Sequence, residues 1–338
     1  MSVTILGIES SCDDTSAAVL RDTVLLSNVI ASQRVHEAYG GVVPELASRA
    51  HQQNIVPVVS EAIRQAGIDK SDIDAIAFTR GPGLPGSLHV GTSFAKGLSL
   101  ALDIPLVDVN HLHGHVLSHF VKETPDAEVP EFPYLCLLIS GGNSQIIKVN
   151  SYKDMEVIGQ TIDDAAGEAF DKCGKLLGLK YPAGATISKL GQNGNRKFVE
   201  FPRALHSHDN CEFSFSGLKT AVLRYTETHD PEYIQKNLGD ICASLEDAIV
   251  GSLVEKTINA LKKTRMKTLV VGGGVSANAW LRNRLQDYCN RHGIRFCIPD
   301  RSLSTDNGAM IAAAAIRRNR QGLLKSIDVV KPWMPLAL

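Results

Sequence analysis

Apolar positions open the chain in three short runs, Val3–Glu9, Ala17–Leu20 and Val24–Ile30, separated by Ser, Asp, Thr and other turn formers. Runs of this length and spacing predict three β-strands. From Pro44 to about Gln65 the spacing becomes helical, with a proline at the start where its missing N–H costs nothing. Strand and helix then alternate: strand Ala75–Thr79, helix His89–Leu102, strand Pro105–Val109 and helix His111–Val121.

Pro130–Pro133 forms a proline-bounded linker, after which the same opening returns. Tyr134–Ile139, Gln145–Val149 and Met155–Thr161 are three predicted strands, and Ala165–Leu177 a helix. Residues 178–216 are rich in Gly, Pro, Asn and His and predict an irregular insertion. Helices at about Leu218–Glu227 and Pro231–Lys263, a buried strand Thr268–Val271, and helices Ala277–Asn290 and Asn307–Arg318 complete the pattern. Two halves that each begin with three strands, 1–130 and 131–325, predict a duplicated α/β unit with a ligand cleft between the copies.

Composition narrows the setting. The chain has 338 residues, 21% charged and 44% hydrophobic, and no apolar run near the roughly 20 residues that span a bilayer, so a soluble protein with no membrane partner is expected. The first residues carry no basic segment ahead of the apolar stretch, unlike a signal or transit peptide. Seven cysteines, odd in number and without a C-x-x-C pair, point to the reducing cytoplasm. A formal charge of −1 excludes bulk electrostatic coating of nucleic acid, so any RNA contact must be local or shared with a partner.

Three apolar runs end in turns of small residues: Gly7–Thr15, Leu138–Ser144 and Val270–Asn278. Glycine-rich turns let backbone N–H groups approach phosphate or carboxylate oxygens, although an ordinary β-turn has the same composition. The first two occupy equivalent places in the two halves, and the third precedes a helix whose N-terminus favours anions. None fits a P-loop or dinucleotide fingerprint; a mononucleotide held between the halves suits them better.

Four histidines fall in His111-Leu112-His113-Gly114-His115-Val116-Leu117-Ser118-His119. On a helix His111, His115 and His119 share a face. His111 and His115 are placed to grip a metal ion, or else to form a polar helix face, with His119 one turn further on. The segment lacks the glutamate that follows the first histidine of H-E-x-x-H peptidases, so a metallopeptidase would be without its base.

Together GIESSCDDT, KGLSLALDIPLVDVNHLHGH, LLISGGNSQ, DDAAGEAFDKCGKLLGLKYPAG, FSFSGLKTA, VVGGGVSAN and STDNGAMIA make the chain resemble the TsaD family over nearly its whole length. The resemblance implies the duplicated actin, Hsp70 and sugar-kinase (ASKHA) fold. It also implies transfer of a threonylcarbamoyl group from threonylcarbamoyl-adenylate to the N6 amine of the adenosine 3′ of the anticodon in tRNAs reading ANN codons, with release of AMP. By motif, His111, His115 and Asp306 match the metal ligands, for one divalent ion per subunit, iron or zinc. Leu138, Ile139, Ser140, Gly141, Gly142, Asp171, Gly184 and Asn278 match adenylate-binding positions, with ATP as the alternative occupant. The position of Asp306 implies that the last helix, 307–320, packs back across the cleft. Asp13 and Asp14 are the candidates for orienting or deprotonating the incoming amine. Three positions depart from the usual pattern: Asp14 stands for glutamate, His113 for glutamate, and Asn143-Ser144 for His-Thr. The partners implied are tRNA, a TsaB-like paralogue and a TsaE-like ATPase, with Arg196, Lys197 and Arg203 of the insertion as a possible RNA-facing surface. A metallopeptidase, a sugar-kinase-type kinase and a non-catalytic nucleotide-binding partner are the alternatives.

Overall fold

Thr4–Glu9 (β1), six consecutive buried residues, forms the middle of the first sheet. Asp14–Arg21 (β2) pairs with it antiparallel, and Val24–Ser32 (β3) pairs antiparallel with β2. On the opposite edge Ala75–Gly81 (β4) and Leu106–Asn110 (β5) run parallel, giving the order β3-β2-β1-β4-β5. Parallel neighbours need crossovers, supplied by helices Pro44–Ala66 and Pro85–Leu102. Ile55, Val59 and Ala62 of the first crossover pack with Leu6, Ile8, Val19 and Phe78 of the strands. The structure, a computed structural model, describes residues 2–206 and 209–319.

The last helix, Gly308–Asn319, packs on β1 and β2 and makes β1 buried on both faces. A Cβ at Gly308 would come within 2.5 Å of the Ala18 nitrogen and 2.7 Å of the Gly7 oxygen, so only glycine allows this approach. Among the described residues this unit comprises those to Pro130 together with 299–319.

The second unit, Glu131–Ile298, repeats the arrangement. Tyr134–Ile139 (β6) is buried throughout, antiparallel to Ser144–Val149 (β7), which pairs with Met155–Gln160 (β8). Thr268–Gly272 (β9) and Arg295–Cys297 (β10) lie parallel on the other side, in the order β10-β9-β6-β7-β8. The sequence pattern does not mark β10, whose three residues are too short for a periodic signal.

Two further elements differ from expectation. The segment 178–216 contains a helix, Gly184–Gly191, packed on helix Leu238–Thr264. The single helix expected from Pro231 to Lys263 is two, Pro231–Lys236 and Leu238–Thr264. At the break, the Asn237 side-chain Nδ2 donates to the Tyr233 carbonyl at 2.8 Å, sharing the acceptor that its own backbone N–H uses at 3.1 Å.

Candidate functional site

In the first unit the chain leaves β5 at Asn110, whose Oδ1 accepts from the Leu112 and His113 nitrogens at 2.9 and 3.4 Å and caps helix His111–Leu117. One turn apart, the His111 and His115 rings meet edge to face, with centroids 4.7 Å apart. Asp306 arrives from the segment before the last helix. Asn307 Oδ1 caps that helix at Met310 N (2.9 Å), and Gly308 N donates to Ser16 Oγ on β2 (2.8 Å). Asp306 Oδ1 is thereby held 3.1 Å from His115 Nε2 and 3.6 Å from His111 Nε2. One ligand atom from each residue lies within 4.8 Å of the others.

Two imidazoles and a carboxylate form a donor set that suits first-row divalent ions. Both ring nitrogens of His115 are buried without a hydrogen bond; its 3.1 Å approach to Asp306 lacks hydrogen-bond alignment. Buried polar atoms rarely go unsatisfied, and a bound cation would satisfy Nε2. The electrostatics agree. Burial alone would lower the His111 pKa, but the charges of Glu9 and Asp306 raise it to about 9. Burial would raise Asp306, yet His111 and His115 draw it down to about 2. The pocket therefore favours a positive charge.

Helix His111–Leu117 ends before His119, which lies in the 3₁₀ turn Ser118–Phe120 and is buried. His119 is not among the residues whose ligand atoms converge with those of His111 and His115.

Asp13 and Asp14 occupy the β1–β2 turn and the start of β2. The Asp13 carbonyl accepts from Gln33 N at 3.2 Å, and Asp14 pairs with Ser32. Burial, aided by the negative charges of Asp306, Asp13 and Glu9, raises Asp14 to about 6 against a hydrogen bond with Ser32 that lowers it. Beneath the turn His51 bridges Cys12 and Thr15: Nε2 lies 3.0 Å from the Cys12 carbonyl and Nδ1 2.8 Å from Thr15 Oγ1. A carbonyl only accepts, so Nε2 carries the hydrogen and Nδ1 accepts from the threonine. Burial lowers the pKa of His51 and favours this neutral form.

Sequence reasoning passes over both His51 and Glu9. The signal for His51 is its helical spacing with Ala47 and Ile55, which puts a histidine on the buried face of Pro44–Ala66. Glu9 resembles an ordinary strand end in sequence, yet it has no solvent exposure.

In the second unit Leu138 and Ile139 are buried in β6, and Ser140, Gly141 and Gly142 follow in the turn to β7. Glu168 N donates to Gly141 O at 3.1 Å, so the start of helix Ala166–Leu176 abuts this turn. Gly273, with φ +85°, brings the β9 turn against Ile139. A Cβ added at Gly141 or Gly142 would meet nothing within 4 Å, which leaves room for a ligand along the turn. Asp171 Oδ1 accepts from Ala183 N at 2.7 Å and so lies beside Gly184 at the head of its helix.

Asn278 is heavily engaged. Its Oδ1 caps helix Ala279–His292 at Leu281 N (2.9 Å), while Nδ2 donates to Ser188 Oγ and Glu246 Oε1, each at 2.8 Å. Buried Glu246 also holds Arg196 at 2.8 Å, whose guanidinium lies 4.1 Å over the Trp280 ring. Arg203 pairs with Asp247 at 2.5 Å. Two of the three cations considered for an RNA-facing surface are thus bound to helix Leu238–Thr264, while Lys197 is exposed.

Comparison with known proteins gives consistent results. The family model TsaD, tRNA N6-adenosine threonylcarbamoyltransferase, matches residues 24–313. Two curated relatives carry that same description: one from Porphyromonas gingivalis, 58% identical over 97% of each chain, and one from Phocaeicola vulgatus, 58% identical over 92% of this chain and 93% of the other. Among solved structures, HypF from T. kodakarensis aligns with a TM-score of 0.61 at 13% identity over 95% of this chain and 48% of its own. Component A of the Acidaminococcus fermentans (R)-2-hydroxyglutaryl-CoA dehydratase aligns at 0.54 with 17% identity, over 94% and 99% of the two chains. At such identities the structural likeness establishes the fold alone, the actin-like ASKHA type.

Proposed function

This chain belongs to the TsaD family, the tRNA N6-adenosine threonylcarbamoyltransferases, and we propose that it takes the threonylcarbamoyl group from threonylcarbamoyl-adenylate. The acceptor is the N6 amine of the adenosine 3′ of the anticodon in tRNAs reading ANN codons. The amine nitrogen bonds to the carbamoyl carbon, the bond from that carbon to the phosphate oxygen breaks, and AMP leaves with the electron pair.

The observation that carries this reading is the convergence of His111, His115 and Asp306 in a chain of this family. A divalent ion held there, iron or zinc, would supply Lewis acidity toward the carbamoyl carbonyl or a binding point for the threonyl part. The remaining chemistry belongs to the protein. Leu138–Gly142, Asp171, Gly184 and Asn278 hold the adenylate, so that binding energy from the nucleotide orients the reacting carbon. Asp14 is the better of the two candidate bases: with a pKa near 6 it is mostly ionised at neutral pH and more basic than an ordinary aspartate. Asp13 orients the amine.

The near-neutral formal charge favours tRNA contacts shared with partners, a TsaB-like paralogue and a TsaE-like ATPase. No helix among the described residues is long and apolar enough to cross a membrane, and none of the seven cysteines forms a disulfide, in keeping with a cytoplasmic enzyme. Incorporation of labelled threonine into tRNA by the purified chain with such partners tests the proposal. His115→Ala and Asp306→Ala should each abolish incorporation; full incorporation by both would overturn the reading.

A further inference from the structure

Glu9 closes β1, and its buried carboxylate gathers three donors. Oε1 accepts the Ser11 amide at 2.5 Å, while Oε2 accepts the Thr79 hydroxyl at 2.5 Å and faces His111 Nδ1 at 3.0 Å. The sheet register produces this grouping: Ile8 is opposite Phe78 in the parallel β1–β4 pair, which sets Thr79 beside Glu9. An ionised carboxylate can only accept, so the Nδ1 it meets carries a hydrogen. The Ser11 hydroxyl, 3.2 Å from the same Nδ1, shares that hydrogen as a second acceptor. In neutral His111 the lone pair is then on Nε2, the atom turned toward Asp306.

We propose that Glu9 is the positioning residue of the cation site, fixing His111 as the Nδ1–H tautomer and holding its ring so that Nε2 is the ligand. The inference rests on the metal reading above. Carboxylate–histidine–metal relays of this kind orient the ligand and raise its basicity, and loss of the outer partner typically weakens metal binding about 10–100-fold. Neither His115 nitrogen makes a hydrogen bond that would give it equivalent support, so the orienting role falls on the Glu9–His111 pair.

Glu9→Gln probes this role because it preserves size while removing the charge and replacing one acceptor oxygen with an NH₂ donor. Whichever way the glutamine amide is turned, its NH₂ group meets a donor: the Ser11 amide on one side, or Thr79 and His111 on the other. Thr79 relieves the conflict by rotating its hydroxyl. His111 relieves it by moving its hydrogen to Nε2, which removes the ligand lone pair.

The test titrates Zn²⁺ into the full-length wild type, Glu9→Gln and His111→Ala by calorimetry, with thermal unfolding measured alongside. Glu9→Gln should bind about 10–100-fold more weakly than wild type, and His111→Ala should lose the site. In zinc-loaded wild type labelled with ¹⁵N-histidine, the remaining His111 ring hydrogen should reside on Nδ1, with the signal identified by its absence from His111→Ala. Zinc binding by folded Glu9→Gln within twofold of wild type, or a hydrogen on Nε2 in the wild type, overturns the role of Glu9 alone. Failure of the wild type to bind zinc at His111 overturns the metal reading itself. Because the nitrogen spectrum needs no Glu9 variant, the inference stays testable even if Glu9→Gln does not fold.

Discussion

Replacing Asp14 with asparagine should make the protein more stable and less active. The fold raises this carboxyl from 3.8 to about 6, with burial as the main cause. The charged form is therefore disfavoured in the native state. Roughly two pK units at about 1.4 kcal/mol each set a ceiling of about 3 kcal/mol, and partial exposure reduces the expected penalty to about 1–2 kcal/mol. The sign follows from linkage: the favourable contribution of the protonated carboxyl is fully present below pH 4 and is lost as pH rises through about 6. Asparagine is neutral throughout and can still accept from Ser32. In reversible urea unfolding with EDTA present, Asp14→Asn should exceed wild type by about 1–2 kcal/mol at pH 8, and the gap should close by pH 4. Threonylcarbamoyl transfer by the same variant should fall about 100-fold, within the usual range for loss of a general base. A variant no more stable than wild type at pH 8, or a gap that widens on acidification, would refute the reasoning.

Two other perturbations in the second unit differ in whether they affect folding as well as ligand binding. Glu246→Ala strips the buried partner from Arg196, Ser188 and Asn278, and should cost about 3–5 kcal/mol in denaturant unfolding together with a weaker affinity for a fluorescent AMP analogue. Gly142→Ala meets no protein atom within 4 Å, so its unfolding midpoint should match wild type while affinity for the same analogue drops at least tenfold; unchanged affinity would remove the turn from the nucleotide site.

The two three-strand openings, Thr4–Ser32 and Tyr134–Gln160, are legible because their strands are short and apolar with turn formers between them. The pairing of His111 with His115 is legible from helical spacing alone. Asp306 is not: it lies 191 residues from His115 in sequence and reaches it only because Gly308 lets the last helix settle on β1 and β2. It is identified through the resemblance to a family. Glu9 is hidden for a related reason, since its partners Thr79 and His111 come from β4 and from the helix after β5. Composition also misleads in the insertion. Arg196 and Arg203 resemble free cations in a polar loop, whereas Glu246 and Asp247 on one buried helix engage them. Helix starts are displaced for a simpler reason: Pro85 occupies the first helical position, several residues before the apolar periodicity begins.

Single-turnover transfer from preformed threonylcarbamoyl-adenylate to tRNA, with the partner proteins present, tests the central claim most directly. Wild type, chelator-treated wild type and His111→Ala are compared. Loss of metal assistance worth several kcal/mol corresponds to a fall of about 100-fold or more. The account predicts that fall for both the treated and the mutated protein, with a divalent ion restoring the former and not the latter. Undiminished transfer by His111→Ala would contradict it.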